Sequence, residues 1–183
     1  MDSLQAHLLV ASPQLLDPNF RQTVVLLAAH DPQGAFGWIL NRPSGKSVAE
    51  VWELLDCEQP CDNLQPVYSG GPVPGPLMAL HQEEELGEME LLPGVFVSGA
   101  PDAVAEIILA GGLFQLFSNY SGWGTGQLEQ ELAGGGWLTT PALHEHLFSD
   151  RNDFWKWVVE QVGRRLADDF LQGAPQPPEA WMN

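Results

Sequence analysis

Short apolar runs bounded by turn formers constrain this chain more than any other feature of its sequence. Residues 8–11, 24–28 and 36–40, and later 95–98, are rich in Val, Leu and Ile and stop at Pro, Asp or Gly. Runs of this length read as buried strands, and none approaches the roughly 18 apolar residues of a membrane span. Gln33-Gly34 separates the second run from the third. Residues 24–40 therefore read as an antiparallel hairpin with a loop of several residues. Further strand candidates are 77–80, 89–92, 114–120 and 137–139.

Helices are announced by their caps. Ser47 with Glu50 makes a capping-box pattern, and Val48, Val51, Trp52 and Leu55 then share one face, which predicts an amphipathic helix over 47–55. Pro101 suits a first helical position, Val104, Ile107 and Ile108 share a face, and Gly111-Gly112 stops that helix. Residues 125–133 end likewise in three glycines, and the longest helix is expected over about 153–168, with Phe154, Trp157, Val158 and Val162 at helical spacing. These strands and helices do not alternate regularly, which favours an α+β fold with a mixed sheet over a doubly wound parallel one. Residues 1–172 read as one domain. Residues 173–183 read as an extended Pro-rich tail able to dock through Trp181.

Composition narrows the function classes. The chain has 24 Asp and Glu against 7 Lys and Arg, a formal net charge of -17. That balance disfavours long-range attraction to nucleic acid or to an anionic membrane. With 44% hydrophobic residues the chain is acidic without being disordered. The start, with Asp2 and only a short apolar run, lacks the basic and apolar regions of a secretory signal, so the expected location is cytoplasmic.

Candidate site residues fall in loops. Asp17 to Arg21 follows the first strand and Asn41-Arg42-Pro43 closes the hairpin. If these loops meet, Arg21 and Arg42 bring two scarce guanidinium groups to one point, suited to a carboxylate or phosphate. The bland alternative is an Asp17–Arg21 pair across a turn and an ordinary strand-ending turn at Asn41. Gly70-Gly71 allows a backbone nest for an anion or simply a tight turn, but it matches neither a P-loop nor a dinucleotide fingerprint. No cofactor is implied. The segment Ser121-Gly122-Trp123, followed by Gln127, joins a strand to a helix start, where free N–H groups favour an anion. Ser121 lies outside a nucleophile elbow, so helix capping or loop hydrogen bonding competes with catalysis there. Cys57 and Cys61 form a C-x3-C that would need two further ligands to bind zinc, and a reactive thiol pair competes with two reduced loop cysteines. His144 and His146 point to different sides of a helix, which weakens a metal reading. The acidic run from Glu83 to Glu90 reads as a solvated loop.

Several of these motifs occur in an order that resembles a known family. The run from Ala11 through Asp17-Pro18-Asn19-Phe20-Arg21 to His30 comes first, then Gly34 to Gly37 and Asn41-Arg42-Pro43. Tyr68-Ser69-Gly70-Gly71-Pro72-Val73, Leu80-His81, Tyr120-Ser121-Gly122-Trp123 and Gly126-Gln127-Leu128-Glu129 follow. Together they resemble the AlgH-like (YqgE-like) family over about residues 7–140. The resemblance implies an α+β fold whose bifurcated sheet curls into a pseudo-barrel. Members are often labelled transcriptional regulators through an association with alginate production, without a demonstrated chemistry. The chain departs from the family at Trp38, where a smaller aliphatic residue is common, and in its last helix and tail.

The resulting expectation is a non-enzymatic binding or indirect regulatory protein. Asp17, Arg21, Asn41, Arg42, Gly70, Gly71, Ser121, Trp123 and Gln127 would form one polar surface for a small anionic ligand or a protein partner. A serine- or thiol-dependent enzyme using Ser121 or Cys57 with a histidine such as His30 is the alternative.

Overall fold

The computed structural model describes residues 3–54 and 59–173. The strands are β1 (His7–Ala11), β2 (Val24–Asp31), β3 (Gly34–Ile39), β4 (Pro43–Ser47), β5 (Pro66–Ser69), β6 (Met78–His81), β7 (Met89–Leu92), β8 (Val95–Ser98), β9 (Phe114–Ser118), β10 (Ser121–Gly124) and β11 (Trp137–Pro141). The helices are α1 (Val48–Trp52), α2 (Pro101–Ala110), α3 (Gln127–Ala133), α4 (His144–Leu147) and α5 (Phe154–Gly173). The fold is mixed α+β. One sheet has the order β10-β3-β2-β1-β11 and the other β4-β5-β9-β6-β8-β7. No closed barrel forms among the described residues.

The two sheets face each other across the main core. Leu8, Val10, Val24, Leu26 and Trp38 of the first sheet meet Leu80, Val97 and Phe117 of the second, with Phe154, Val158 and Val162 of α5 closing the same cluster. The opposite face of the first sheet buries Leu9, Val25, Leu27 and Ile39 with Trp123, Leu128 and Trp137. Both faces of β2 are therefore covered, which explains why residues 24–28 are continuously apolar and fully buried instead of alternating. The opposite face of the second sheet packs against α1 and α2.

The expected hairpin forms, but its loop is the two residues Pro32-Gln33 instead of several, since β2 and β3 pair antiparallel as far as Asp31 and Gly34, with a bulge between Leu27 and Ala29. The capping box at Ser47 and Glu50 forms, although the described helix stops at Trp52, and Leu55 lies outside the described residues. Pro101 opens α2, and Gly111, at φ 67°, closes it in the left-handed conformation. α5 runs further than its sequence pattern predicts. The strand expected over 114–120 stops at Ser118 as β9, because Asn119 at φ 62° turns the chain out of that sheet, and β10 begins in the other sheet at Ser121. β4 and β5 carried no strand signal. β4 reads Pro-Ser-Gly-Lys-Ser, is mostly exposed and lies at a sheet edge, so no apolar face was required of it. The tail beyond Gly173, with Trp181, lies outside the described residues, as does Cys57. Among the described residues no helix is long and apolar enough to cross a membrane.

Candidate functional site

The chain passes between the sheets twice, from β3 to β4 through Leu40-Asn41-Arg42 and from β9 to β10 through Asn119-Tyr120. Most of the motif residues sit at or beside these two crossings. Asn41 spends both ends of its carboxamide on the backbone: Val24 N–H donates to Oδ1 at 3.0 Å, and Nδ2 donates to the Gln22 carbonyl at 2.9 Å. It thereby substitutes for a strand partner where β2 begins. Arg42 is half-buried. Its guanidinium donates to the Asn19 carbonyl and, at 3.5 Å, to that of Arg21. Burial lowers its pKa from the ordinary arginine value, opposed by the charge of Asp17.

Asp17 shapes the same loop. Its Oδ1 accepts from Asn19 N–H at 2.8 Å, and its carbonyl accepts from the N–H groups of Phe20 and Arg21. The alternative of an Asp17–Arg21 ion pair is not formed among the described residues; the two are joined through the backbone. The two loops meet, which was the condition for gathering the two guanidinium groups, but the contact runs from one side chain to the other loop's backbone. The Arg42 side chain holds the Arg21 backbone, while the Arg21 side chain is exposed.

Gly70, Gly71 and Ser121 brace the second crossing. Gly70 N–H donates to the Ser118 carbonyl at 2.8 Å, and the Gly70 carbonyl accepts from Ile39 N–H at 2.9 Å, so one residue ties both sheets. The Ser121 hydroxyl donates to that same carbonyl at 2.9 Å and is fully buried. A Cβ on Gly70 would lie 2.6 Å from the Asn119 carbonyl and 2.7 Å from Trp38 Cδ1. One on Gly71 would overlap the Tyr120 carbonyl and Ser121 Oγ. Glycine is needed here for close backbone approach.

Trp123 and Gln127 belong to a third group. Trp123 stacks on Phe20 with ring centroids 5.8 Å apart and meets Trp137 edge-on at 6.0 Å. The indole N–H groups of Trp123 and Trp137 both donate to Oε2 of Glu131, at 2.9 and 2.8 Å. Gln127 accepts from Gly124 N–H and donates to Glu131 Oε1. The nine motif residues thus fall into a loop bracket, a sheet tie and an aromatic cluster, and most of their polar atoms are paired within the fold.

Two histidines in the motifs have fixed tautomers. His30 Nδ1 accepts from Leu4 N–H at 2.9 Å, which leaves Nε2 to donate to Glu129 Oε1 at 3.0 Å. That contact, with a backbone hydrogen bond as the larger cause, holds the Glu129 carboxyl below its ordinary pKa. His81 is fully buried; its Nδ1 accepts from Glu83 N–H and its Nε2 donates to Ser98 Oγ at 3.0 Å. Ser98 in turn donates to the Leu86 carbonyl at 2.5 Å. Burial holds His81 below the ordinary histidine value, so it is neutral.

Sequence reasoning missed an open cavity of about 410 Å³ beside the second crossing, lined by Phe36, Trp38, Pro76, Met78, Asn119 and Tyr120. Phe36 is 36% exposed, high for a large apolar side chain on a central strand. Trp38 forms the inner wall, stacked on Phe117 at 6.0 Å and meeting Phe36 edge-on at 5.6 Å. Its indole N–H is buried without a hydrogen-bond partner among the described residues. The departure from the resembled family at Trp38, one of those the sequence carries beside its last helix and tail, is the signal for this cavity.

A family profile described as AlgH-like matches residues 8–167. A UPF0301 protein from Stutzerimonas stutzeri is 40% identical over 158 residues, covering 82% of this chain and 83% of that protein. Another, from Chlorobaculum tepidum, is 33% identical over 179 residues, covering 93% of this chain and 92% of the relative. The solution structure of the AlgH protein from Pseudomonas aeruginosa is similar with a TM-score of 0.73 and 32% identity, covering 96% of each chain. A crystal structure of a Corynebacterium diphtheriae protein, at 21% identity and a TM-score of 0.68 over 97% of this chain and 90% of that one, shares the fold.

Proposed function

The chain belongs to the AlgH-like family, and on that premise we propose that it is a binding protein that holds a protein partner through the apolar cavity beside the second sheet crossing. The observation that carries this reading is the open, aromatic-walled cavity itself, with Phe36, Met78 and Tyr120 around it. Three aromatic rings and a methionine favour a bulky apolar side chain over an anion. The net charge of -17 selects for a partner segment whose flanks are basic.

The small-anion version of the same role has less support. Asn41, Arg42 and Gln127 direct their donors to groups of the fold, which leaves the exposed Arg21 as the remaining cation of the set. The enzymatic alternative is weaker at Ser121, whose hydroxyl is fully buried and donates to a carbonyl. A regulatory role would run through the partner, since a surface this acidic repels a phosphate backbone. No DNA mobility shift is expected at moderate salt.

Titration with short peptides tests the proposal. A tryptophan flanked by lysines should shift the amide resonances of Phe36, Met78 and Tyr120, and the same peptide with alanine in place of tryptophan should not. Equal responses to both, or shifts confined to other surfaces, would reject it. Titration with phosphate and citrate tests the anion version through the Arg21 and Arg42 resonances.

A further inference from the structure

The last helix leaves the body of the protein before it ends. Phe154, Val158 and Val162 are buried at four-residue spacing, and Leu166 continues the same stripe but is 57% exposed. From Gly163 to Asp168 every residue is exposed. A helical end of this length has little stability on its own in water, so its apolar stripe calls for a cover.

Beside that stripe lies a groove of about 320 Å³, in which Val162, Arg165 and Leu166 face Leu4, His7 and residues 139–141 of β11. β11 is a sheet edge. Its register with β1, and the bonds from Ser12 N–H to the Gly136 carbonyl and from Ala142 N–H to that of Ala6, direct the even-numbered backbone groups of β11 inward. Thr139 therefore turns its N–H and carbonyl outward. Pro141, the next outward position, has no N–H, which blocks extended pairing with the edge of another sheet.

We propose that this groove is the docking site for the chain's own C-terminal segment, with Trp181 as the apolar anchor on Leu166 and Glu179 facing Arg165. Reach permits it: from Val162 to Gly173 the helix advances about 16 Å, and the eight residues from Gly173 to Trp181 return about 25 Å when extended as polyproline. The sequence between them carries Pro175, Pro177 and Pro178 and suits that conformation. A polyproline segment leaves its backbone groups free, so it can take the single outward N–H of Thr139 where a second strand would find only a short, interrupted edge. Charge agrees as well, since Arg165 is one of only 7 cations and Glu179 stands two residues before Trp181. The proposal rests on α5 and β11 and is independent of the cavity near Trp38.

Amide hydrogen exchange on the full chain tests it. Trp181→Ala should raise exchange at Thr139 and over residues 163–168 by about tenfold, with the amides of residues 24–28 unchanged. Arg165→Glu should give a smaller rise at the same amides, and adding Glu179→Arg should restore protection. Unchanged exchange in Trp181→Ala would overturn the proposal. So would a rise spread equally over β2, or protection in the wild type that disappears on dilution, which would assign the groove to a second copy of the chain.

Discussion

The two crossings between the sheets are built alike and end differently. At the first, Asn41 and Arg42 place their donors on backbone carbonyls of the loop they bracket, and the cavity beside them, of about 320 Å³, has a partly polar wall that includes Asn41, Asp150 and Arg151. At the second, Gly70, Gly71 and Ser121 make a comparably tight tie, but the wall next to it opens into an apolar cavity whose Trp38 indole N–H has no partner. The contrast separates two meanings of a recognisable motif. The polar and glycine residues of the motifs encode the route of the chain between sheets, whereas the wall of the apolar cavity takes only Phe36 and Tyr120 from the motifs and adds Trp38, Pro76, Met78 and Asn119 from outside them.

That contrast can be broken most forcefully at the second tie. Gly71→Ala forces a Cβ against the Tyr120 backbone and should cost at least about 3 kcal/mol, or prevent folding. A urea midpoint within error of the wild type would show that the tie is not tight. At the first crossing, Asn41→Ala removes two backbone partners and should cost about 2 kcal/mol in the same assay.

The two tryptophans sharpen the comparison. Trp123 and Trp38 are both buried, but only Trp123 has its N–H paired, with Glu131. Trp123→Phe should therefore cost about 1 kcal/mol more than Trp38→Phe, because the first leaves a half-buried carboxylate short of a donor and the second removes an unpaired one. Equal losses would mean that packing alone decides both sites.

A gentler effect concerns pH. His81 and His146 are both held below the ordinary histidine pKa, chiefly by burial. Each group therefore contributes stability that is complete above the unfolded value near 6.5 and is lost as pH falls towards the folded pKa. The urea midpoint should drop between pH 7.5 and 5.5, and His81→Asn should flatten part of that slope. The smallest effect is expected at Arg21→Ala, within about 0.5 kcal/mol, because its side chain is exposed.

Much of the fold was legible in the sequence where local signals and burial agreed. The hairpin of β2 and β3, the Ser47 capping box and the Gly111 stop of α2 each rest on short-range chemistry. β4 was not, since an exposed edge strand pairs through its backbone and requires no apolar pattern, and neither was β5, an interior strand of only four residues with one fully buried side chain. The end of β9 at Ser118, short of the expected 120, was hidden for a related reason: the turn at Asn119 is imposed by partners in two different sheets. The contact between the Arg21 and Arg42 loops could be suspected from the sequence, but whether a polar atom faces a ligand or a carbonyl is decided by residues distant in sequence. Asn41 meets Val24 and Gln22, and Ser121 meets Gly70.

The central distinction proposed at these crossings is that stability and partner binding reside in different residues. Its most direct test is the affinity of the lysine-flanked tryptophan peptide for Asn41→Ala and for Phe36→Ser, measured where both remain folded. Asn41→Ala should bind as the wild type does, and Phe36→Ser should bind about tenfold more weakly, near 1.4 kcal/mol. The reverse order, or an equal loss in both, would contradict it.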